Sequence, residues 1–162
     1  MPRKVFFSFH HKRDIWRVGI IRNCGVFRGD DAQPFLDAAA WEEVRKLGTE
    51  NIKRWIDKEM EGKSVLVVCI GNETNNRRWV RYEIGKAHDE QRGIIGIRIH
   101  NMKNQDSETD NPGRNPLDTF YITQNGEKIC FSELYPTYDW VGDEGRKNIE
   151  DWVERSAIKA GR

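Results

Sequence analysis

Lys63-Ser-Val-Leu-Val-Val-Cys-Ile-Gly-Asn-Glu-Thr-Asn-Asn-Arg-Arg-Trp-Val-Arg-Tyr-Glu-Ile-Gly-Lys-Ala87 is the stretch whose pattern decides the fold. Val65–Ile70 is a six-residue apolar run rich in β-branched side chains, as in a strand covered on both faces. Gly71 and Asn72 break the run, and Thr74, Asn75 and Asn76 offer N-caps for a helix that continues through Ala87. On a 3.6-residue wheel Val80, Ile84 and Ala87 form a core-facing row, and Trp79, Glu83 and Ala87 a second row beside it. Glu83 therefore projects from the edge of the apolar face. Desolvation there raises a carboxyl pKa and makes the group a usable acid, base or charge stabiliser. The competing reading is a boundary glutamate paired with a neighbouring Arg or Lys. Arg77 and Arg78 read as a solvated helix face.

Working outward, Lys4–Phe9 is a first strand, apolar almost without alternation, which runs into the polar turn Ser8-Phe9-His10-His11-Lys12-Arg13. Asp14 is the expected cap of a helix over Ile15–Arg22 with Trp16, Ile20 and Ile21 as its apolar face. Val26-Phe27 reads as a very short edge strand, and Arg28–Pro34 as a mobile Gly- and Pro-punctuated loop. Helical segments are expected at about 35–47 and 49–61, the second capped by Thr49 and burying Ile52, Trp55, Ile56 and Met60. Gly93–His100 is another buried strand. Residues 101–119 carry no apolar period and read as one long surface loop, of the kind that is functional or mobile. A hairpin turns at Asn125-Gly126, Tyr138–Val141 is a last strand, and Asp143–Lys159 is a closing helix with Ile149, Trp152, Val153 and Ala157 facing in.

Length and composition bound the rest. The 162 residues suit one domain, 1–162, with a substantial core, and no linker or repeat divides them. A net charge of +1 gives no nucleic-acid footprint. Without a leading apolar segment or a membrane-length apolar run, a cytoplasmic protein with no membrane partner is expected. The three cysteines, Cys24, Cys69 and Cys130, lack metal-ligand spacing and read as reduced core thiols. Most of the six tryptophans sit beside other apolar residues at helical spacing, which reads as core. His10 and His11 with Asp14 invite a metal, but adjacent side chains in an extended turn diverge, and no metal is expected.

Strands alternating with helices give an α/β, flavodoxin-like doubly wound sheet of about five parallel strands in the order 2-1-3-4-5, helices on both faces. That order sets the strand at 4–9 beside the strand at 65–70. Their carboxyl ends then bring the His10/His11 turn and the Asn72–Glu83 unit to the two sides of one crevice.

Lys4-Val-Phe-Phe-Ser-Phe-His10, Asp14 and Arg22-Asn23 resemble the opening of the TIR-like domains of the bacterial Thoeris anti-phage system. Trp79-Val-Arg-Tyr-Glu83 is similar to the Trp-x-x-x-Glu pattern of TIR-domain NAD hydrolases. TIR domains share the flavodoxin-like topology, and Gly25–Pro34 stands where signalling TIR domains carry their loop after the second strand.

The resemblance implies that NAD is substrate rather than cofactor, with Glu83 the catalytic residue at the nicotinamide ribose. Ser8, Phe9, His10, Asn76 and Trp79 would then bind substrate: Trp79 or Phe9 against a ring, and Ser8, His10 and the helix start near Asn72–Asn76 on ribose hydroxyls and pyrophosphate. It also implies that the product is a cyclic ADP-ribose isomer or a related ADP-ribose signal that activates a separate effector, after self-association or a phage-derived trigger. A hydroxyl of ADP-ribose itself would be the nucleophile, so none is needed from the protein.

A non-catalytic TIR-like adaptor, acting through protein–protein contacts, is the alternative, and it would tolerate Glu83→Gln. A receiver or flavin-binding module fits poorly. The strands end in His10, Gly71 and His100 rather than in an acidic cluster, and His-His-Lys-Arg replaces a phosphate loop.

Overall fold

A computed structural model describes residues 3–34 and 38–162. The parallel sheet has the order β1 (Val5–Ser8), β2 (Val65–Ile70), β3 (Gly93–Arg98) and β6 (Thr137–Asp139). β2 lies at the residues its apolar run marks and is buried throughout, because it is flanked by β1 and β3 and covered on both faces. One face carries Val5, Phe7, Val67, Ile95 and Ile97 under α1 (His11–Arg22) and α6 (Gly145–Lys159). The other carries Phe6, Leu66, Val68 and Ile94 under α3 (Thr49–Met60) and α4 (Arg78–Asp89). The period-2 alternation of each strand sorts its side chains between these two cores.

Among the described residues the parallel sheet has four strands where about five are expected. Val26-Phe27 is not a strand: Phe27 turns inward onto the Phe7 ring at 5.4 Å, and the chain bends at Gly29. What remains of the edge member is one parallel bridge, Val5 to Ala32. The expected helix over 35–47 is seen as α2 (Ala38–Arg45), and its first residues, 35–37, lie outside the described ones. The hairpin is present as β4 (Tyr121–Gln124) and β5 (Glu127–Cys130), with Asn125 at φ 53° and Gly126 at φ 79°, the left-handed pair that a two-residue turn demands. The four-residue helix α5 (Phe131–Leu134) leads from the hairpin toward β6.

α1 differs most from expectation. Asp14 does not cap it. The His10 imidazole does, its Nδ1 accepting from the Arg13 N–H at 3.2 Å, so the helix begins at His11. The buried face is Asp14, Arg17, Val18 and Ile21, while Trp16 is 52% exposed. A charged pair turns inward because Arg17 has work there. Its guanidinium donates to the Met102 carbonyl at 2.7 Å and the Glu108 carbonyl at 2.9 Å.

Residues 101–119 are accordingly tied down rather than loose. Arg98 donates to the Gly113 carbonyl, and Arg13 pairs with Asp110 at 2.8 Å. Gly113 lies so close to the Gly71 and Asn72 carbonyls that a side chain there would meet backbone. Among the described residues no helix is long and apolar enough to cross a membrane.

Candidate functional site

The carboxyl ends of β1 and β2 open into a cleft of about 890 Å³. Phe9 and His10 line it from the turn after β1, Asn76 from the turn after β2, and Trp79 and Glu83 from α4. Ser8 lies beneath, buried, and its hydroxyl donates to Glu83 Oε1 at 2.6 Å across 75 positions of chain. The residues singled out from two distant segments thus meet in one place. The crevice expected from the strand order is real.

Glu83 is 7% exposed and faces no cation within ion-pair distance among the described residues, so it is not a boundary glutamate paired with Arg or Lys. Burial pushes its carboxyl up to about 8, and the Ser8 hydrogen bond pulls the other way. Burial disfavours the charged form, whereas a hydrogen bond to the carboxylate favours it, and here burial wins. His10, expected in a polar turn, is buried and caps α1 while also lining the cleft. Burial, then the positive charge of Arg77, lowers its pKa below the ordinary imidazole value. Because Nδ1 accepts from the backbone, the proton of the neutral ring sits on Nε2, the nitrogen 3.9 Å from Glu73.

α4 begins at Arg78 and not at Thr74–Asn76. Those three residues form a 3₁₀ turn in which the Thr74 hydroxyl accepts from the Gly71 N–H at 2.8 Å and donates to the Cys69 carbonyl at 3.3 Å. The N-cap is Arg77, whose side chain caps nothing. Arg77 and Arg78 are exposed, as a solvated helix face should be, and they also line the cleft. Arg13 is neutralised by Asp110 and Glu73, and Arg45 by Glu42, but Lys12 and Arg77 have no carboxylate partner among the described residues.

Sequence reasoning missed an aromatic wall. Phe9 stacks on His11 at 4.5 Å, His11 on Trp41 at 4.7 Å, and Trp41 meets Trp55 edge-on at 5.8 Å, all on the cleft. The expectation that most tryptophans are core holds only in part, since Trp55 and Trp79 pack against the core under α3 and α4 but also face the cleft. Only Trp140 and Trp152 are buried, while Trp41, Trp55 and Trp79 are half-exposed cleft residues. Their helical spacing beside apolar neighbours is the same whether the next layer is protein or an open cleft. Among the cysteines only Cys69 is a core thiol, and Cys24 and Cys130 are half-buried.

Against this geometry the comparisons are specific. The profile of the Thoeris protein ThsB, TIR-like domain, matches residues 6–104, a span that holds Ser8, Phe9, His10, Asn76, Trp79 and Glu83. This chain belongs to the Thoeris ThsB TIR-like family. It is 31% identical over 191 aligned positions, 94% of this chain and 100% of the relative, to the Bacillus cereus (strain MSX-D12) protein named "Putative cyclic ADP-D-ribose synthase ThsB1". That alignment covers more of the chain than the matched domain does, so the likeness is not confined to the strand ends. As a TIR-like fold the chain places its cleft at the strand carboxyl ends, where open α/β sheets bind ligands.

Proposed function

We propose that this chain is an anti-phage defence enzyme of one domain that breaks the nicotinamide–ribose bond of NAD and makes a cyclic ADP-ribose isomer or related ADP-ribose signal. The observation that carries the proposal is the buried Glu83 carboxyl, hydrogen-bonded to Ser8, at the floor of an open aromatic and cationic cleft. The name of the Bacillus cereus relative supports the same chemistry.

As the C–N bond breaks, its electron pair leaves with neutral nicotinamide and positive charge develops at the ribose. A carboxylate beside that carbon stabilises it. Burial pushes the Glu83 carboxyl up to about 8, which favours its neutral form at neutral pH. Entry of the cationic nicotinamide ring favours the carboxylate, so the charge forms when it is needed. Ser8 donates to that carboxylate and fixes its orientation. An ADP-ribose hydroxyl then attacks the cationic carbon and gives its proton to the Glu83 carboxylate, closing the ring with no protein nucleophile and returning Glu83 to its neutral form.

Trp79, already edge-on to Tyr82, and the Phe9–His11–Trp41 wall offer ring contacts, and Lys12 and Arg77 offer charge to the pyrophosphate. Asn76 and His10, both on the cleft, would hold ribose hydroxyls. The signal would act on a separate effector, with self-association or a phage-derived trigger switching the enzyme on.

The test follows NAD and ADP-ribose-type products by mass spectrometry in infected cells that express either wild type or Glu83→Gln. A product made by wild type and lost in the variant is the expected result. Equal product from both, with the variant folded, overturns the catalytic role of Glu83 and leaves the adaptor in its place.

A further inference from the structure

β1 is an edge strand of the sheet, and Ser8 at its end holds Glu83. An edge strand is fixed on one side only, so something must hold the other side if Ser8 is to stay within 2.6 Å of the carboxyl. The backbone does so once, at the bridge between Val5 and Ala32. Backbone groups of residues i and i+2 of a strand address the same edge, so the next position is Phe7, which no backbone bridge covers among the described residues.

The Gln33 side chain fills it. Its Oε1 accepts from the Phe7 N–H at 2.9 Å, and its Nε2 donates to the Phe7 carbonyl at 2.7 Å. Gln33 is 7% exposed, so both bonds are shielded. A carboxamide carries the same donor and acceptor as a peptide group, and here it stands in for the strand that does not form. The loop that supplies it is anchored in turn by Lys4 to Asp30 at 2.8 Å and by Arg22 to the Gln33 carbonyl at 3.3 Å.

We propose that Gln33 is a positioning residue: by completing the outer edge of β1 at Phe7 it holds the Ser8 hydroxyl on Glu83, and so couples the 28–34 loop to the carboxyl. Its consequence for catalysis rests on the role proposed for Glu83, but its geometry does not. The charged and titratable groups sharing the cleft with Glu83 are His10, His11, Lys12 and Arg13 after β1, Glu73, Arg77 and Arg78 around the start of α4, and Glu42 and Arg45 on α2. Ser8 is the group hydrogen-bonded to it.

The experiment titrates Glu83 without substrate, by ¹³C NMR of carboxyl-labelled glutamate, with the resonance identified by its loss in Glu83→Gln. Gln33→Met keeps the volume and removes both bonds. It should raise the Glu83 midpoint by about one pH unit, the effect of losing one hydrogen bond to the charged form. In a Ser8→Ala background the same substitution should add nothing, because the connection is already cut. An unchanged midpoint in folded Gln33→Met overturns the proposal, as does an equal rise in both backgrounds.

If Gln33→Met does not fold, Gln33→Asn, one methylene too short to reach both Phe7 groups, carries the same readout. The titration needs no NAD turnover. A chain inactive on NAD therefore leaves this result standing, and a failed titration leaves the NAD chemistry standing.

Discussion

Glu83 shows how much one side chain can say. Its ordinary pKa is 4.5 and its pKa in the fold is about 8, so the folded state retains a proton that the unfolded chain gives up. Below the lower value both states are neutral. As pH rises between the two, the unfolded state ionises first and folding stability falls, levelling off above the upper value. Glu83→Gln keeps an acceptor for Ser8 and removes the ionisation. Its thermal midpoint should match wild type near pH 4.5 and exceed it increasingly toward pH 8, the difference reaching the order of a few kcal/mol at about 1.4 kcal/mol per pH unit. Melting curves over that range check it, and a gap that does not widen with pH would show Glu83 to be hydrated and ionised. The same ionisation should make kcat/KM on NAD climb through the same region, since that parameter reports the free enzyme.

Arg17 sets the scale of an element. From α1 it spans to two carbonyls of the 101–119 segment and lies 3.8 Å from Asp14, whose carboxyl burial has pushed up to about 6. Neither Asp14 oxygen has a hydrogen bond, so Arg17 is its main compensation. Replacing Arg17 by Met fills the same space but leaves both carbonyls without donors and Asp14 without its cation. Loss of stability should be roughly 2–4 kcal/mol, read as a lower urea midpoint at unchanged slope, with faster amide exchange around Met102 and Glu108. A loss below about 0.5 kcal/mol, the level of an ordinary surface change, would mean that the segment is held by other contacts. The periodicity of α1 was visible in its sequence, but the charged part of its inward face was not, because Arg17 is buried for carbonyls 85 and 91 positions away and Asp14 is buried beside it.

Over the whole molecule, one sheet separates two cores, and β3 feeds both through adjacent residues. Ile94 faces the core under α3 and α4, and Ile95 the core under α1 and α6. Both are fully buried, so either Ile→Ala change should cost about 2–5 kcal/mol. Because both cores rest on the same strands, each variant should still unfold in one transition, with tryptophan fluorescence and far-UV dichroism falling together. Two separated transitions in either variant would show the helical layers to be independent. The cleft draws on several elements of this one body, since it takes Ser8 from β1, Glu83 from α4 and Trp41 from α2.

What the sequence determined by itself is what local periodicity and turn chemistry encode. The β2–α4 unit, the hairpin at Asn125-Gly126, the closing helix and Glu83 at the margin of its apolar face were all legible, because each depends on residues a few positions apart. Legible too was the meeting of the β1 and β2 ends, since parallel strands joined by a helix place their carboxyl ends together. The tertiary structure alone decided that Asp14 and Arg17 are buried, that three tryptophans face a cleft and that Gln33 replaces a strand. These outcomes turn on partners brought close by the chain's path. A polar residue is buried when a distant donor or acceptor offsets its desolvation, and nothing in its own neighbourhood of sequence announces that partner.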